Sequence, residues 1–228
     1  MSSKMTTVIT IDGPSGVGKG TLARKLIQKF DFSLLDSGAI YRLAALAMIQ
    51  QKIDVDDVSS IIKRLEALEI NFKVDHQGTQ VYLDAKNVSD QIRLEETGMM
   101  ASKIASIPAV RQTLLQKQRD FAVNTTGLVA DGRDMGTVVF PEAQFKFFLD
   151  ADSEIRAQRR YDELVSGGQR PDFNEILMRL QQRDFQDRNR ALAPLKPAAD
   201  ACIIDTCDLS ADEVFEKVLQ VVTASKNC

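Results

Sequence analysis

The chain has 228 residues, 44% of them hydrophobic and 27% charged, the make-up of a soluble globular protein with material for one large domain or a core with insertions. A net charge of −3 supplies no overall field toward nucleic acid or membranes, so any phosphate site must come from local clusters of arginine. No apolar run approaches the roughly 20 residues of a membrane span, and the opening MSSKMTT lacks the apolar core of a secretory signal.

Val8-Ile9-Thr10-Ile11 is apolar and β-branched, which predicts a buried strand ending at Asp12. Gly13-Pro14-Ser15-Gly16-Val17-Gly18-Lys19-Gly20-Thr21 follows, and Leu22, Leu26 and Ile27 then take helical spacing as far as Phe30. Set between strand and helix, this is the pattern of a phosphate-binding loop. The glycines let the backbone turn with its N–H groups inward, the helix N-terminus adds partial positive charge, and Lys19 brings a point charge to the outer phosphates. The alternative is a glycine-rich turn without a ligand. Such loops usually carry Ser or Thr directly after the lysine to ligate Mg²⁺. Here Gly20 stands in that place and Thr21 follows, so a metal is expected to touch Thr21 through water rather than directly. The Gly-Lys-Gly-Thr form is closer to nucleoside monophosphate kinases than to GTPases or motor ATPases.

Phe32–Leu35 reads as a short buried strand, and Asp36-Ser37-Gly38 as the cap of a helix through Tyr41, Leu43, Leu46, Ala47 and Ile49. Asp36, Ser37, Tyr41 and Arg42 thus gather where a strand meets a helix, the place where open α/β sheets hold ligands. Capping and packing are the alternative roles. Asp54 or Asp56 is expected to cap a helix whose inner face is Val58, Ile61, Ile62, Leu65 and Leu68. Ile70–Val74 and Gln80–Leu83 then alternate with period two. Turns at Asp75-His76-Gln77-Gly78 and Asp84-Ala85-Lys86-Asn87 and a brief strand at Val88 complete a small antiparallel insert. The insert is either a subdomain that closes over a substrate or a purely structural addition. His76 is the one histidine and reads as an exposed turn residue, which leaves no basis for a histidine relay or triad.

Thr97–Ser106 is expected to be helical. Pro108 starts a further helix with Val110, Leu114, Leu115 and Phe121 on one stripe, and Ser102 and Arg111 flank the break. Gly127–Asp131 reads as a buried strand ending in a carboxylate beside the phosphate loop, followed directly by Arg133 and Asp134. These two make either a ligand site or a structural ion pair. Phe145–Asp150 is another strand. Asp152 caps the next helix, which bears Arg156, Arg159 and Arg160 and ends at Ser166-Gly167-Gly168, as a lid over nucleotide phosphates or a solvated face. Asn174 is expected to cap a helix with Ile176, Leu177 and Leu180 inward, on which Arg183, Asp187 and Arg190 share one face. Arginine forks suit phosphates, and an aspartate can accept from the exocyclic amine of cytosine. Ala191–Pro197 is a connector, Ala201–Asp205 the last strand, and Val214, Phe215, Val218, Leu219 and Val222 mark a closing amphipathic helix. Cys202, Cys207 and Cys228 fit neither a disulfide framework nor a zinc site, which points to a reducing, cytoplasmic compartment.

From about Val8 to Val222 the chain resembles cytidylate kinases of the bacterial type. The resemblance rests on IDGPSGVGKGT (11–21), LLDSGAIYR (34–42), the mid-chain insert, ADGRDMGTVVFP (130–141) and RDFQDRNRALAP (183–194). It implies an α/β fold: a P-loop parallel sheet flanked by helices, with a small antiparallel β insert in the NMP-binding part and a helical lid. The single P-loop kinase domain would comprise a core (about 5–36, 107–152 and 191–226), the NMP-binding part (about 37–106) and the lid (about 153–190).

The implied reaction is MgATP plus CMP or dCMP giving ADP plus CDP or dCDP. ATP would lie on Gly13, Pro14, Ser15, Gly16, Val17, Gly18, Lys19, Gly20 and Thr21, with Arg156 and Arg159. CMP would lie on Asp36, Ser37, Tyr41, Arg42, Ser102, Arg111, Arg133, Asp134, Arg183, Asp187 and Arg190. Of these, Arg183, Asp187 and Ser102 go to the base or sugar, and Arg42, Arg133 and Arg190 to phosphates. The catalytic set would be Lys19, Arg133, Asp134, Arg183 and Arg190, with Thr21 and Asp36 holding waters of Mg²⁺. The implied partners are the nucleotides alone, without nucleic acid or membrane, acting on a monomer. Rival readings are a P-loop kinase for AMP, UMP or shikimate, a nucleotide-switch GTPase and a nucleic-acid-associated ATPase. The GTPase lacks an Asn-Lys-x-Asp stretch here, and the negative net charge speaks against the ATPase.

Overall fold

Strand β1, Thr7–Asp12, is buried along almost its whole length. This is the pattern of a strand covered on both faces, as in a parallel sheet. It belongs to a computed structural model that describes residues 6–75, 78–123 and 125–224; His76, expected at a turn, lies outside the described residues. The elements that follow are α1 (Lys19–Phe30), β2 (Ser33–Asp36), α2 (Ser37–Gln51), α3 (Val58–Glu66), β3 (Ile70–Asp75), β4 (Gly78–Leu83) and β5 (Lys86–Asn87). After a 3₁₀ turn at Gln91–Arg93 come α4 (Glu95–Ile104), α5 (Pro108–Asp120) and β6 (Gly127–Gly132). A π turn at Met135–Val139 leads to β7 (Phe145–Asp150), α6 (Ser153–Ser166), α7 (Phe173–Asn189), β8 (Cys202–Asp205) and α8 (Ala211–Ala224).

The main sheet has five strands in the order β2-β6-β1-β7-β8. Parallel register sets Ile11 opposite Phe147 and Phe148 opposite Ile203. Burial follows position: Leu128, Val129, Ala130 and Phe147 are buried, whereas Ile203 on the edge strand is 62% exposed. A three-stranded antiparallel sheet, β3-β4-β5, forms the expected insert.

The chain divides into two compact units. One runs from Ser33 to Leu128, with the residues up to Thr6, and holds α2–α5 and the insert. Its core includes Ile40, Leu43, Met48, Ile61, Leu65, Ile104 and Leu114. The other takes in Thr7–Phe32 and everything from Val129 on, with β1, β7, β8, α1 and α6–α8. Among the described residues no helix is long and apolar enough to cross a membrane.

Several local expectations are corrected. The cap of α3 is Asp57, whose side chain accepts from Ser60 N at 3.0 Å, while Asp54 accepts from Asp56 N and closes the preceding turn instead. Asp84 and Ala85 both have positive φ, so the second hairpin turn has only two residues and β5 begins at Lys86. Val88 lies beyond β5 but still donates to Val81 O at 2.9 Å. The cap of α7 is Asp172, which accepts from Glu175 N at 3.0 Å, rather than Asn174. Ile176, Leu177 and Leu180 are only half-buried, because α7 buries no residue completely. Asp152 does occupy the cap position of α6 but makes no side-chain capping bond.

Candidate active site

β1 delivers the chain to its loop through Asp12, which is 4% exposed. Gly13 has φ +149°, and a Cβ there would stand 2.1 Å from the Leu149 carbonyl oxygen, so only glycine fits against β7. The loop closes at Gly18, which begins α1 in the left-handed region. Lys19, the first residue of α1, is 7% exposed, and its Nζ donates to Pro14 O at 2.7 Å. Burial above all lowers its pKa to about 7; Arg133 and Arg183 push the same way, and Asp131 and Asp12 oppose them. An arriving polyphosphate would supply the counter-charge that favours the ammonium form. Gly20 faces Asp131: a side chain there would begin 3.8 Å from the carboxylate. Thr21 Oγ1 accepts from Arg24 at 3.5 Å.

The turn after β6 is held from the end of β1. Asp12 accepts from Met135 N and Gly136 N, each at 2.8 Å. Its pKa is raised to about 6, because burial outweighs those two N–H donors; Asp134 adds to the rise and Lys19 subtracts from it. Gly136 is closely packed, since a Cβ there would meet Thr10 Oγ1 at 3.0 Å. This anchorage keeps the turn tight and stations Arg133 and Asp134 beside it. Arg133 Nε donates to Asp187 Oδ2 at 2.8 Å, joining the turn to α7. Arg190 lies one residue past the end of α7 in extended backbone, not on the helix, and its guanidinium is 3.6 Å from Asp134. Arg183 lies exposed on α7. Of the expected face, Asp187 and Arg190 therefore reach the Arg133–Asp134 turn, while Arg183 acts on Lys19 as a charge.

The two arginines expected at ATP are engaged with backbone. Arg156 is 2% exposed, with Nε on Ala151 O at 2.8 Å and Nη1 on Ser15 O at 3.0 Å, and it forms a fork with both oxygens of Asp184. Arg159 donates to Thr206 Oγ1 at 3.2 Å and to the Thr206 and Cys207 carbonyls.

The first unit positions its own candidates. Asp36 caps α2 by accepting from Ala39 N at 2.9 Å, and Ser37 is buried in the first turn. Arg42 donates to Ile92 O at 2.7 Å. Burial lowers its pKa, with Asp36 acting against the shift. Gly98 leaves room for that guanidinium, since a Cβ there would lie 3.1 Å from both terminal nitrogens. Ser102 Oγ donates to Gly98 O at 3.1 Å, so Arg42 and Ser102 converge on one turn of α4. Arg111 sits over the Tyr41 ring, 5.8 Å from its centroid. Among the described residues, no group of three or more His, Cys, Asp or Glu could hold a metal ion.

Two carboxylates that anchor the site's segments escape sequence reasoning. Asp12 ends β1 immediately before the loop, a position whose only signal is its polarity after an apolar run. Asp184 sits in RDFQDRNR, where its neighbours Arg183 and Asp187 draw attention first.

Comparison with known proteins bears on the whole chain. A family model for cytidylate kinase matches residues 9–224. The cytidylate kinase of Pasteurella multocida is 50% identical over 222 residues, covering 97% of this chain and 96% of its own. That of Actinobacillus succinogenes is 51% identical over 221 residues, covering 94% and 97%. A solved structure of an uncharacterized protein from Eubacterium ventriosum, 10% identical, covers 96% of this chain and 99% of its own at a TM-score of 0.53, a likeness of fold alone. With half of its residues shared along nearly the full length of such relatives, and a matching family model from the first strand to the last helix, the chain belongs to the cytidylate kinase family.

Proposed function

We propose that the chain transfers the γ-phosphoryl group of ATP to the phosphate of CMP or dCMP, releasing ADP and CDP or dCDP. The observation that carries this reading is the buried Lys19, set at the head of the loop helix among charges from the ends of β1 and β6 and from α7. That arrangement suits a polyphosphate. An oxygen of the CMP phosphate attacks the γ-phosphorus in line as the bond to the β–γ bridging oxygen breaks. The attacking phosphate is already ionised, so no general base is needed. The protein's task is positioning and charge neutralisation.

Gly13–Thr21 wrap the donor phosphates, held by the backbone N–H groups of every residue but Pro14, and Lys19, Arg133 and Arg183 meet the charge on the transferred group. Arg190 and Asp134 complete the catalytic set. Ser37, Tyr41, Arg42, Ser102 and Arg111, together with Arg133, Asp134, Arg183, Asp187 and Arg190, bind CMP, Asp187 reading the cytosine amine. Asp36 orients Ser37 as its helix cap. Arg159 supports the ATP end of the second unit. Residues of about 153–190 act as the lid, 37–106 as the NMP-binding part and the remainder as core.

Mg²⁺ bound with ATP supplies charge neutralisation at the β- and γ-phosphates. Thr21 and the Asp131 carboxylate beside Gly20 offer it oxygen contacts through water. The enzyme works as a monomer on small nucleotides, without nucleic acid, in a reducing cytoplasm that suits its free thiols at Cys202 and Cys207.

The test is an acceptor panel of CMP, dCMP, UMP, AMP and shikimate with MgATP. CMP or dCMP should give the highest kcat/KM, and faster use of UMP, AMP or shikimate would overturn the cytosine assignment. Tighter binding of GTP than of ATP would overturn the kinase reading itself.

A further inference from the structure

Arg156 sits where three segments meet. It belongs to the first turns of α6, yet its side chain is turned inward and only 3% exposed. Nε donates to the carbonyl of Ala151 at the end of β7, and Nη1 donates to the carbonyl of Ser15 in the phosphate loop at 3.0 Å. Asp184 of α7 takes both terminal nitrogens, and its own side chain is only 13% exposed. Gly16, with φ +84°, packs directly on the arginine, since a Cβ there would stand 3.3 Å from Arg156 Cβ.

The peptide between Ser15 and Gly16 is trans, as are all the described peptides. In a trans peptide the carbonyl and the following N–H point to opposite sides. Holding the Ser15 carbonyl toward Arg156 therefore turns the Gly16 N–H away from it, into the loop where phosphates are received. We propose that Arg156 is a positioning residue that fixes the Ser15–Gly16 peptide for ATP and, through Asp184, ties that peptide to the helix carrying Arg183 and Asp187. The guanidinium acts on ATP through the loop's backbone, not by gripping a phosphate itself. Because one pair serves both the donor loop and α7, ordering of α7 by CMP strengthens ATP binding, and the reverse holds by linkage.

This inference rests on the kinase reading above, and the experiment separates the two. ATP and CMP dissociation constants are measured by calorimetry, each nucleotide alone and each with the other's non-reacting analogue, for wild type, Arg156→Lys, Arg156→Met and Asp184→Asn. Wild type should bind ATP more tightly when the acceptor site is filled. Arg156→Met should weaken ATP binding roughly tenfold or more, as expected for lost charge-assisted bonds. Arg156→Lys should fail to restore it, because an ammonium keeps the charge but cannot reach a carbonyl and both carboxylate oxygens in one plane.

Asp184→Asn preserves shape and serves if Arg156→Met does not fold. It should abolish the mutual enhancement while leaving the affinity for CMP alone within about twofold, a split that general loosening of the fold would not produce. Full rescue by lysine would mean that the residue acts as a bare charge and would overturn the proposal. So would enhancement that survives Asp184→Asn. A wild type that binds ATP and phosphorylates CMP while the variants match it sinks the brace alone. A wild type that binds neither nucleotide sinks the kinase reading and the brace with it.

Discussion

Lys19 and Arg183 are both cations proposed to meet the transferred phosphate, yet one is 7% exposed at the head of α1 and the other stands exposed on a helix that buries no residue completely. Around Lys19 the structure is tightly fitted: Gly13 lies against β7, Asp12 is doubly bonded to the π turn, and the lysine is bonded to its own loop. Helix α7 closes its own first turn with the Asp172 cap and is held at points instead, by Phe173 against the Tyr161 ring, by Asp184 on Arg156 and by Asp187 on Arg133. Met178 and Phe185 remain 62% and 70% exposed on it. The phosphate loop is thus preorganised by close packing, whereas α7 is positioned by half-buried apolar side chains and by a few polar contacts, the latter of a kind that a ligand can exchange for its own. Preorganisation suits a donor whose triphosphate is the same in every turnover, and exchangeable contacts suit the element that must admit an acceptor and release a product.

If the donor side depends on packing, a single methyl group there should do the most damage. Gly13→Ala would place a Cβ 2.1 Å from a backbone oxygen of β7, in a backbone region that alanine rarely adopts. Neither the strand nor the loop can yield without breaking the sheet. Loss of at least about 4 kcal/mol in denaturant-induced unfolding is expected, enough to threaten folding altogether. An alanine variant of near wild-type stability would contradict the rigid half of the comparison.

Next comes the charge within that rigid frame. Lys19→Met should lower kcat by roughly a hundredfold to a thousandfold, while the affinity for CMP stays near that of wild type; unchanged turnover would remove Lys19 from catalysis. The same variant has a signature in the protein without nucleotide. The pKa of Lys19 is lowered to about 7 in the folded state from 10.5, chiefly by burial. Between those values the unfolded chain binds the extra proton, so wild-type stability from this group rises as pH increases from about 7 toward 10.5. Below pH 7 the buried ammonium weighs against folding. Lys19→Met removes that penalty, and the variant should be the more stable of the two at pH 6, by an amount on the order of a few kcal/mol, with the advantage shrinking as pH rises. Parallel stability curves for the two proteins would mean that the ammonium is not desolvated.

The same contrast explains what was legible in the sequence. The loop, the strands beside it and the insert follow from periodicity and glycine spacing, because a rigid element leaves its constraints in residue type: β-branched alternation in β1, glycine at 13, 16 and 18. The polar contacts of α7 leave no such imprint. Arg183, Asp187 and Arg190 share a face by helical arithmetic, yet the helix ends at Asn189 and Arg190 leaves it to approach Asp134. The π turn after β6 was equally hidden, because the bonds that stabilise it come from Asp12, more than a hundred residues away in sequence. Arg156, on its basic helix, reads from sequence as part of a lid over phosphates or as a solvated charge, with a place at ATP implied only by the family resemblance. Whether a helical arginine faces solvent or turns inward to a carbonyl and a half-buried carboxylate depends on tertiary contacts that spacing does not encode.

On the adjustable side, effects should be smaller and fall on selectivity. Asp187→Ala removes the partner of Arg133 and the proposed acceptor of the cytosine amine. The loss of a charge-assisted contact, about 1.5–3 kcal/mol, should narrow the CMP-to-UMP ratio of kcat/KM by about tenfold or more, with ATP affinity little changed. A ratio that stays constant would take Asp187 out of base recognition and leave it as an anchor for Arg133 alone.

The smallest effect expected is also the one that tests whether α7 is held at points. Asp172 caps the helix by accepting from Glu175 N at 3.0 Å, and no buried side chain backs it up. Asp172→Ala should reduce global stability by no more than about 1 kcal/mol, the usual worth of a cap. Its consequence should instead be local: amides in the first turns of α7 should exchange faster with solvent, while those from Asp184 onward, anchored through Arg156 and Arg133, keep their protection. Exchange that rises uniformly along the helix would mean that α7 opens as one rigid body. In that case the polar anchors at Asp184 and Asp187 hold it no more firmly than its cap does.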